Sequence, residues 1–360
     1  MDKNKLNHNA DRGSNKQQQL YLNIAFFGVF ACAALIFLLL AFDKIPPVSE
    51  HKEKETLSTE AQSETGTESA TPKETLAAET SITISLMGDC TLGSAPDSDQ
   101  YNNFDAYQSV YGIDYFFQNV KSYLEGDDLS IINLEGALTT AENSASKSDV
   151  YKGDPSYVSA LSNSSIEAVN LANDHTEDYG TAGLTETQTT LKDAGITTFG
   201  NDDTSVLEIK GIKVGLVGIS AIDKQVSECR TQLTNDINAV KEQGANLIIV
   251  NFHWGANGET TPDSDQTTLA HAAIDAGADL VVGHHPHVLQ GMEVYNGRTI
   301  FYSLGSFCDG VNMYPDDMDT VIFQPTFTFS ADPNNEFHHS LHDFFRQHIQ
   351  QLSADTGRRQ

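Results

Sequence analysis

The chain has 360 residues, with 50 acidic against 21 basic side chains and a net charge of −29. A charge of that sign and size excludes nucleic acid and anionic lipid surfaces as dominant partners, because both attract basic patches. An apolar content of 39% excludes a wholly disordered chain and leaves room for one large domain or two small ones.

Residues 1–19 carry Lys3, Lys5, Arg12 and Lys16, and no charge follows until Asp43. The run 24–42 (IAFFGVFACAALIFLLLAF) is almost wholly apolar. About 20 apolar residues span a bilayer core, so 20–42 is expected to be a transmembrane helix. Leu and Phe continue to its end, where a signal peptide would need a small-x-small cleavage site, so the anchor is expected to stay uncleaved. The basic residues before it place the N-terminus in the cytoplasm and everything after Phe42 outside the cell. Residues 43–80 lack aromatics, are rich in Thr, Ser and Glu, and sum to −5. Such a segment cannot bury enough surface to fold and reads as a charge-extended stalk.

Residues 81–330 carry 35 acidic and 10 basic side chains, so most of the negative charge belongs to this block. It alternates short β-rich runs with helical stretches. Strands are expected at 82–87, 129–134, 166–171, 247–252, 280–282 and 320–329. Hairpins are expected over 206–219, turning at Lys210-Gly211, and over 294–304, turning at Asn296-Gly297. Helices fit at 114–124, 182–194, 233–243 and 266–276, the last three closed by Gly195, Gly244 and Gly277. Alternating strands and helices argue for a layered α/β domain, and the hairpins make its sheets mixed. The polar tail 331–360 holds His338, His339, His342 and His348, read as solvated rather than metal-binding, with a short helix expected around 341–352. Cys32 lies in the apolar run. Cys90, Cys229 and Cys308 allow at most one internal disulfide, and their spacing matches no zinc cluster.

Five strands end in a metal-capable side chain: Asp89, Glu135, the Asp174-His175 pair, His253, and the His284/His285/His287 cluster. Ligands in α/β sheets gather beyond the carboxyl ends of strands. Carboxylates with imidazoles suit Zn²⁺, Mn²⁺ or Fe rather than Ca²⁺. Two such ions ~3.5–4 Å apart would clamp both oxygens of an in-line phosphoryl displacement. Gly88-Asp89 alone reads more readily as a turn, and His253-Trp254-Gly255 as a core aromatic beside a satisfied histidine. Three histidines within 284–287, after an apolar strand, have no packing rationale and favour metal.

The chain resembles the CapA family of capsule and poly-γ-glutamate biosynthesis, related in fold to calcineurin-like metallophosphoesterases. The residues that carry the resemblance are Met87-Gly88-Asp89, Asn133-Leu134-Glu135-Gly136, and Asn170-Leu171-Ala172-Asn173-Asp174-His175 with Asp178-Tyr179-Gly180. They continue through His253-Trp254-Gly255, Gly283-His284-His285-Pro286-His287-Val288-Leu289-Gln290-Gly291 and Tyr302-Ser303-Leu304-Gly305-Ser306-Phe307. The resemblance implies a four-layer αββα sandwich over 81–330, behind the anchor. It implies one or two divalent ions (Mn, Zn or Fe) in a phosphoesterase-like hydrolase site. Asp89 would bind one ion, Glu135 would bridge, and Asp174 would bind the second, with His253, His285 and His287 completing the set. His175 would be the general acid, oriented by Asp178. Asn133, Asn173, Cys90, His284 and Ser306 would support the ligands.

Three departures from the family pattern stand out. Asn173-Asp174-His175 replaces Asn-Asn-His, which adds a charge. Asp89-Cys90-Thr91 replaces the phosphoesterase Asp-x-His, which removes one ligand and leaves Cys90 as a soft substitute. Ser306 replaces the usual Asn, and Cys308 follows it, so Cys90 and Cys308 are expected near each other. The resemblance further implies partners in the capsule polymer or in its synthase and export membrane subunits. The lost ligand keeps open the alternative of a non-catalytic accessory subunit that exports or tethers the polymer.

Overall fold

The computed structural model describes residues 79–331 and 337–342, apart from 97, 148 and 313. The expected cytoplasmic segment 1–19, the anchor 20–42, nearly all of the stalk 43–80 and the tail beyond 342 lie outside the described residues. Among the described residues no helix is long and apolar enough to cross a membrane.

Strands β1 (Thr80–Thr91), β2 (Leu129–Leu134), β5 (Ala168–Asn170) and β6 (Thr197–Phe199) run parallel in one sheet. The far flank of β1 is shared. β14 (Thr326–Ala331) pairs antiparallel with its start, and β13 (Ser306–Asp309) pairs parallel with its end. β15 (Phe337–His342) closes that edge against β14. The second sheet has the order β11 (Met292–Tyr295), β12 (Arg298–Phe301), β10 (Leu280–His284), β9 (Leu247–His253), β8 (Ile212–Ser220), β7 (Ser205–Ile209). A separate pair, β3 (Ala137–Leu138) and β4 (Lys152–Gly153), is joined by residues 139–151.

Alternation along the central strands builds the layers. Ile82, Ile84, Leu129 and Ile131 of the first sheet meet Val214, Leu216, Leu247, Ile249 and Leu280 of the second in one inner core. The next positions along, Ile132, Leu134 and Val169, face outward. They pack on α1 (Phe104–Tyr111), α2 (Lys121–Leu124), α3 (Val158–Ser162) and α4 (Gly180–Asp193). Val217, Ile219, Ile248, Val250 and Phe252 cover the other side beneath α5 (Val226–Glu242) and α6 (Ser264–Ala276). Strands buried on both faces are apolar at nearly every position, which is why they read as continuous runs. The result is the αββα order that the resemblance implies.

Several elements depart from the sequence reading. The expected helix 114–124 is a 3₁₀ turn (Ile113–Tyr115) followed by the short α2. Phe116 stacks on Phe104 at 3.8 Å and Phe117 enters the outer core, so aromatic packing overrides the helical period. α1 was not anticipated, although its N-cap Asn103 accepts a hydrogen bond from the Ala106 amide at 2.9 Å. α5 begins seven residues earlier than expected, behind a capping box of Gln225 and Glu228. The last expected strand, 320–329, starts late at Thr326, because Pro325 has no N–H to give a ladder. The expected tail helix is wrong at its start, where residues 337–342 pair as β15; the rest of it lies outside the described residues.

Candidate metal centre

All five strand ends meet on one edge of the sandwich. β1, β2 and β5 bring Asp89, Glu135 and the loop 171–178 from the first sheet. β9 and β10 bring His253 and residues 284–287 from the second. Gly88 allows the segment entering β13 to approach β1, since a Cβ there would stand 1.8 Å from the Gly305 carbonyl oxygen. The same carbonyl accepts the Asp89 amide at 3.1 Å. After β10 the backbone turns sharply, with His285 at φ 95° and His287 at φ 58°. Both are in the left-handed region that side chains with a Cβ avoid, and such strain persists where surrounding structure enforces it.

The ligand atoms form two overlapping groups, Glu135/Asp174/His253/His285 and Asp89/Glu135/His287, each lying within 4.8 Å of one another. Glu135 belongs to both. Within the first group, His253 Nε2 stands 2.8 Å from Asp174 Oδ1 and 3.1 Å from His285 Nδ1. In the second, His287 Nδ1 is 3.6 Å from Asp89 Oδ2, and His287 Nε2 is 3.5 Å from Glu135 Oε1.

Glu135 decides whether a cation suits the site. Its side chain is wholly buried, and no described residue hydrogen-bonds either carboxylate oxygen. A buried, unbonded carboxylate is strongly disfavoured unless a cation compensates it. Open oxygen and nitrogen donors converge on both sides of it, so the residues present fit one or two divalent ions. Burial alone would raise its pKa, but the charges of His287, His253 and His175 hold it down at about 2.

The histidines divide. Burial would strip the proton from His287, yet the carboxylates of Glu135 and Asp89 raise it to about 10. His253 is also raised, because Asp174, Glu135 and Asp89 outweigh its burial. Burial and the neighbouring His253 lower His285, and burial pushes His284 down to about 4.

A ring of amides aligns the ligands. Asn133 Nδ2 donates to Asp89 Oδ1 at 2.6 Å, and Asn170 Nδ2 donates to Asn133 Oδ1 at 2.9 Å. Asn173 ties the loop down through the Leu134 carbonyl at 2.8 Å and accepts the His175 amide at 3.1 Å. Ser306 Oγ stands 3.0 Å from His287 Nδ1. His284 faces inward as a buried support, with Nε2 3.1 Å from Asn251 Oδ1. His175 Nδ1 lies 2.8 Å from Asp178 Oδ2, and His175 Nε2 faces Glu135 and Asp174 at 3.8 and 3.6 Å.

The structure therefore brings together Asp89, Glu135, Asp174, His253, His285, His287, His175 and Asp178, with Asn133, Asn173, His284 and Ser306 around them. Cys90 is the correction. It is fully buried in the outer core with Leu134 and Phe307, outside both ligand groups. Burial and the adjacent Cys308 thiol raise its pKa, which disfavours the thiolate a metal needs. The expected nearness of Cys90 and Cys308 is observed as a register pair between β1 and β13, with both thiols free.

Three residues escaped the sequence reading. Asn170 was quoted only as part of a motif. Lys147 pairs with Asp178 at 2.6 Å, and the Tyr151 ring stacks on His175 at 3.7 Å. Neither sits at a strand end, and no spacing links them to His175. A cavity of about 260 Å³ opens beside His285, lined in part by Lys224, Trp254, Asp263 and Asp265.

Residues 83–311 match the family described as bacterial capsule synthesis protein PGA_cap. The chain belongs to this family. The capsule biosynthesis protein CapA of Bacillus anthracis is 30% identical over 251 residues, covering 63% of this chain and 59% of its own. The PGA biosynthesis protein CapA of Bacillus subtilis is 28% identical over 257 residues, 66% of each chain. The chain thus spans less than two thirds of the length of either relative. Among solved structures, a protein of Thermus thermophilus aligns with a TM-score of 0.42 and 11% identity, over 73% of this chain and 99% of that one.

Proposed function

We propose that this chain is a membrane-anchored, cell-surface protein of capsule or poly-γ-glutamate production, and that its domain is a metal-dependent hydrolase with phosphoesterase-like chemistry. The observation that carries the hydrolase reading is the shared Glu135, buried and unbonded between two ligand groups. The names of the Bacillus relatives support the capsule polymer as the setting. The apolar run 24–42 and the basic residues before it support the anchor and the outward orientation. Synthase or export subunits of the membrane are the partners expected for such an arrangement.

Asp89, Glu135 and His287 would hold one divalent ion, and Glu135, Asp174, His253 and His285 a second, with Mn, Zn or Fe best matching these donors. Such ions polarise a phosphoryl or carbonyl oxygen and activate water near neutral pH. The protein's own contribution follows from its hydrogen bonds. Asp178 Oδ2 accepts a hydrogen bond from the His175 Nδ1–H, which leaves Nε2 directed at Glu135 and Asp174. A proton carried on Nε2 of the doubly protonated ring can pass from there to a leaving oxygen, which leaves the neutral ring with its remaining proton on Nδ1. The Asn133 and Asn173 amides keep Asp89 and the 173–175 loop in place, so the acid and the ligands need no rearrangement when substrate arrives.

The negative charge shapes what can bind. A polyanionic polymer is repelled by the −25 carried on residues 81–330, so contact is confined to the crevice or bridged by cations. The test is to purify the full chain, count bound metal, and assay phosphomonoester and phosphodiester hydrolysis with Mn²⁺ or Zn²⁺. Hydrolysis that disappears in His285→Ala and His287→Ala supports the reading. No activity with any ion sinks it. The three-ligand Asp89 group, one short because Cys90 points into the core, favours the accessory-subunit reading. A capsule phenotype surviving both substitutions would select that alternative.

A further inference from the structure

We propose that Lys147 and Tyr151, on the connection between β3 and β4, are positioning residues that hold the His175 imidazole in one rotamer and one tautomer through Asp178. The proposal rests on the hydrolase reading for its catalytic meaning. Neither Lys147 nor Tyr151 belongs to the ligand groups, and among the described residues their one hydrogen bond to a ligand residue runs from Lys147 to the main-chain carbonyl of Asp174.

Asp178 joins two segments that are distant in sequence. Its buried carboxylate meets His175 Nδ1 at 2.8 Å and accepts the Tyr151 amide at 2.6 Å, both on Oδ2. Lys147 Nζ pairs with Oδ1 at 2.6 Å. The Asp178 carbonyl accepts the Ala145 amide at 2.6 Å. One aspartate therefore orients the imidazole and also fastens the connection that crosses it.

The role of Lys147 follows from counting donors. An ammonium has three N–H groups. One reaches the Asp174 carbonyl at 2.7 Å, the ammonium lies in an ion pair with Asp178 Oδ1 at 2.6 Å, and the next contact is His175 Nδ1 at 3.3 Å. With its charge paired to Asp178 and a donor on the Asp174 carbonyl, Lys147 is held inside the loop. It touches Asp174, His175 and Asp178 together, and it neutralises a carboxylate that is otherwise buried. Asp178 stands closer to Nδ1 than Lys147 does, 2.8 against 3.3 Å, so the ring proton stays on Nδ1. Tyr151 restrains the remaining freedom. Its ring lies flat on the imidazole, with centroids 3.7 Å apart and planes 13° apart. Edge contacts and a stacked face together leave the ring one orientation, and small misplacements of a reacting group reduce rates steeply.

The experiment uses the full chain labelled with ¹⁵N-histidine, the His175 signal being identified by its loss in His175→Gln. The probe substrate is bis(p-nitrophenyl) phosphate with Mn²⁺. Lys147→Ala should lower kcat about 10–100-fold, the range for residues that orient ligands and acids, with KM and bound metal unchanged. Added ethylammonium should restore part of the rate. The His175 signal should show a single Nδ1–H tautomer in the parent and in Tyr151→Phe. It should become exchange-averaged in Lys147→Ala and Tyr151→Leu. An unchanged tautomer in both variants, loss of metal in step with rate, or no rescue by the amine would overturn the proposal. A parent that hydrolyses nothing yet keeps the fixed tautomer removes the hydrolase reading alone. A parent that hydrolyses with an averaged tautomer removes the positioning role alone.

Discussion

Glu135→Gln is the most informative single change, because Glu135 is shared by both ligand groups. The substitution keeps shape and replaces two anionic oxygens by one neutral oxygen and an amide. By the geometry, the groups have three and four ligands, and losing Glu135 leaves Asp89 and His287 on one side and Asp174, His253 and His285 on the other. Three protein ligands hold a catalytic ion, whereas two do not. Stoichiometry should therefore fall from two ions to one. At free metal 100-fold above the dissociation constant, each occupied site adds about 2.7 kcal/mol of stability. For a domain of this size 1 kcal/mol moves the melting midpoint by about 2–4 °C. The parent should rise by about 11–22 °C on metal addition and Glu135→Gln by about half as much. Differential scanning calorimetry with and without Mn²⁺ or Zn²⁺, alongside elemental analysis, reads both numbers. His271→Ala, at a pair with Glu293 that belongs to neither ligand group, is the control. A glutamine variant that keeps two ions and the full shift would refute a bridging carboxylate.

Metal binding near neutral pH should release protons, because His287, raised to about 10 by Glu135 and Asp89 against its burial, holds a proton that a ligand must give up. Affinity should thus climb as pH rises toward that value; calorimetric titrations in buffers of different ionisation heat that show no proton release would contradict this. Gly88→Ala places a Cβ 1.8 Å from the Gly305 carbonyl oxygen and should destabilise by about 3 kcal/mol or more, seen as a lower urea midpoint or loss of soluble protein. Thiol labelling of the native protein should reach half-buried Cys308 first, while buried Cys90 and Cys229 react only after unfolding; equal rates at all three would contradict the packing of β13 on β1. Binding of a glutamate oligomer should strengthen as salt rises from low ionic strength, because screening relieves like-charge repulsion; a monotonic loss with salt would argue for an attractive patch instead.

The principal parallel strands, the two hairpin turns and the ligand-bearing strand ends were legible in the residues. Asn296 and Gly297 adopt the positive φ values of 48° and 74° that an Asn-Gly turn needs, a preference local to two residues. The strand-end ligands were legible for a related reason, since a rigid strand carries its last side chain to a place its own sequence defines. What lay beyond the reading depends on contacts between distant segments. Aromatic packing, not periodicity, broke 114–124 into a 3₁₀ turn and a single helical turn. The pairing of β15 depends on a partner strand that no local pattern names. Cys90 read as a possible ligand because it follows Asp89, but the register shift in β1 after Leu86 turns its thiol into the outer core with Met87. Lys147 and Tyr151 reach His175 across roughly thirty residues of chain, so only the fold could join them to it. The residue types and their places along the strands determined the kind of chemistry this domain can carry. Tertiary packing alone decided that Cys90 is excluded and that His175 is held from a separate loop.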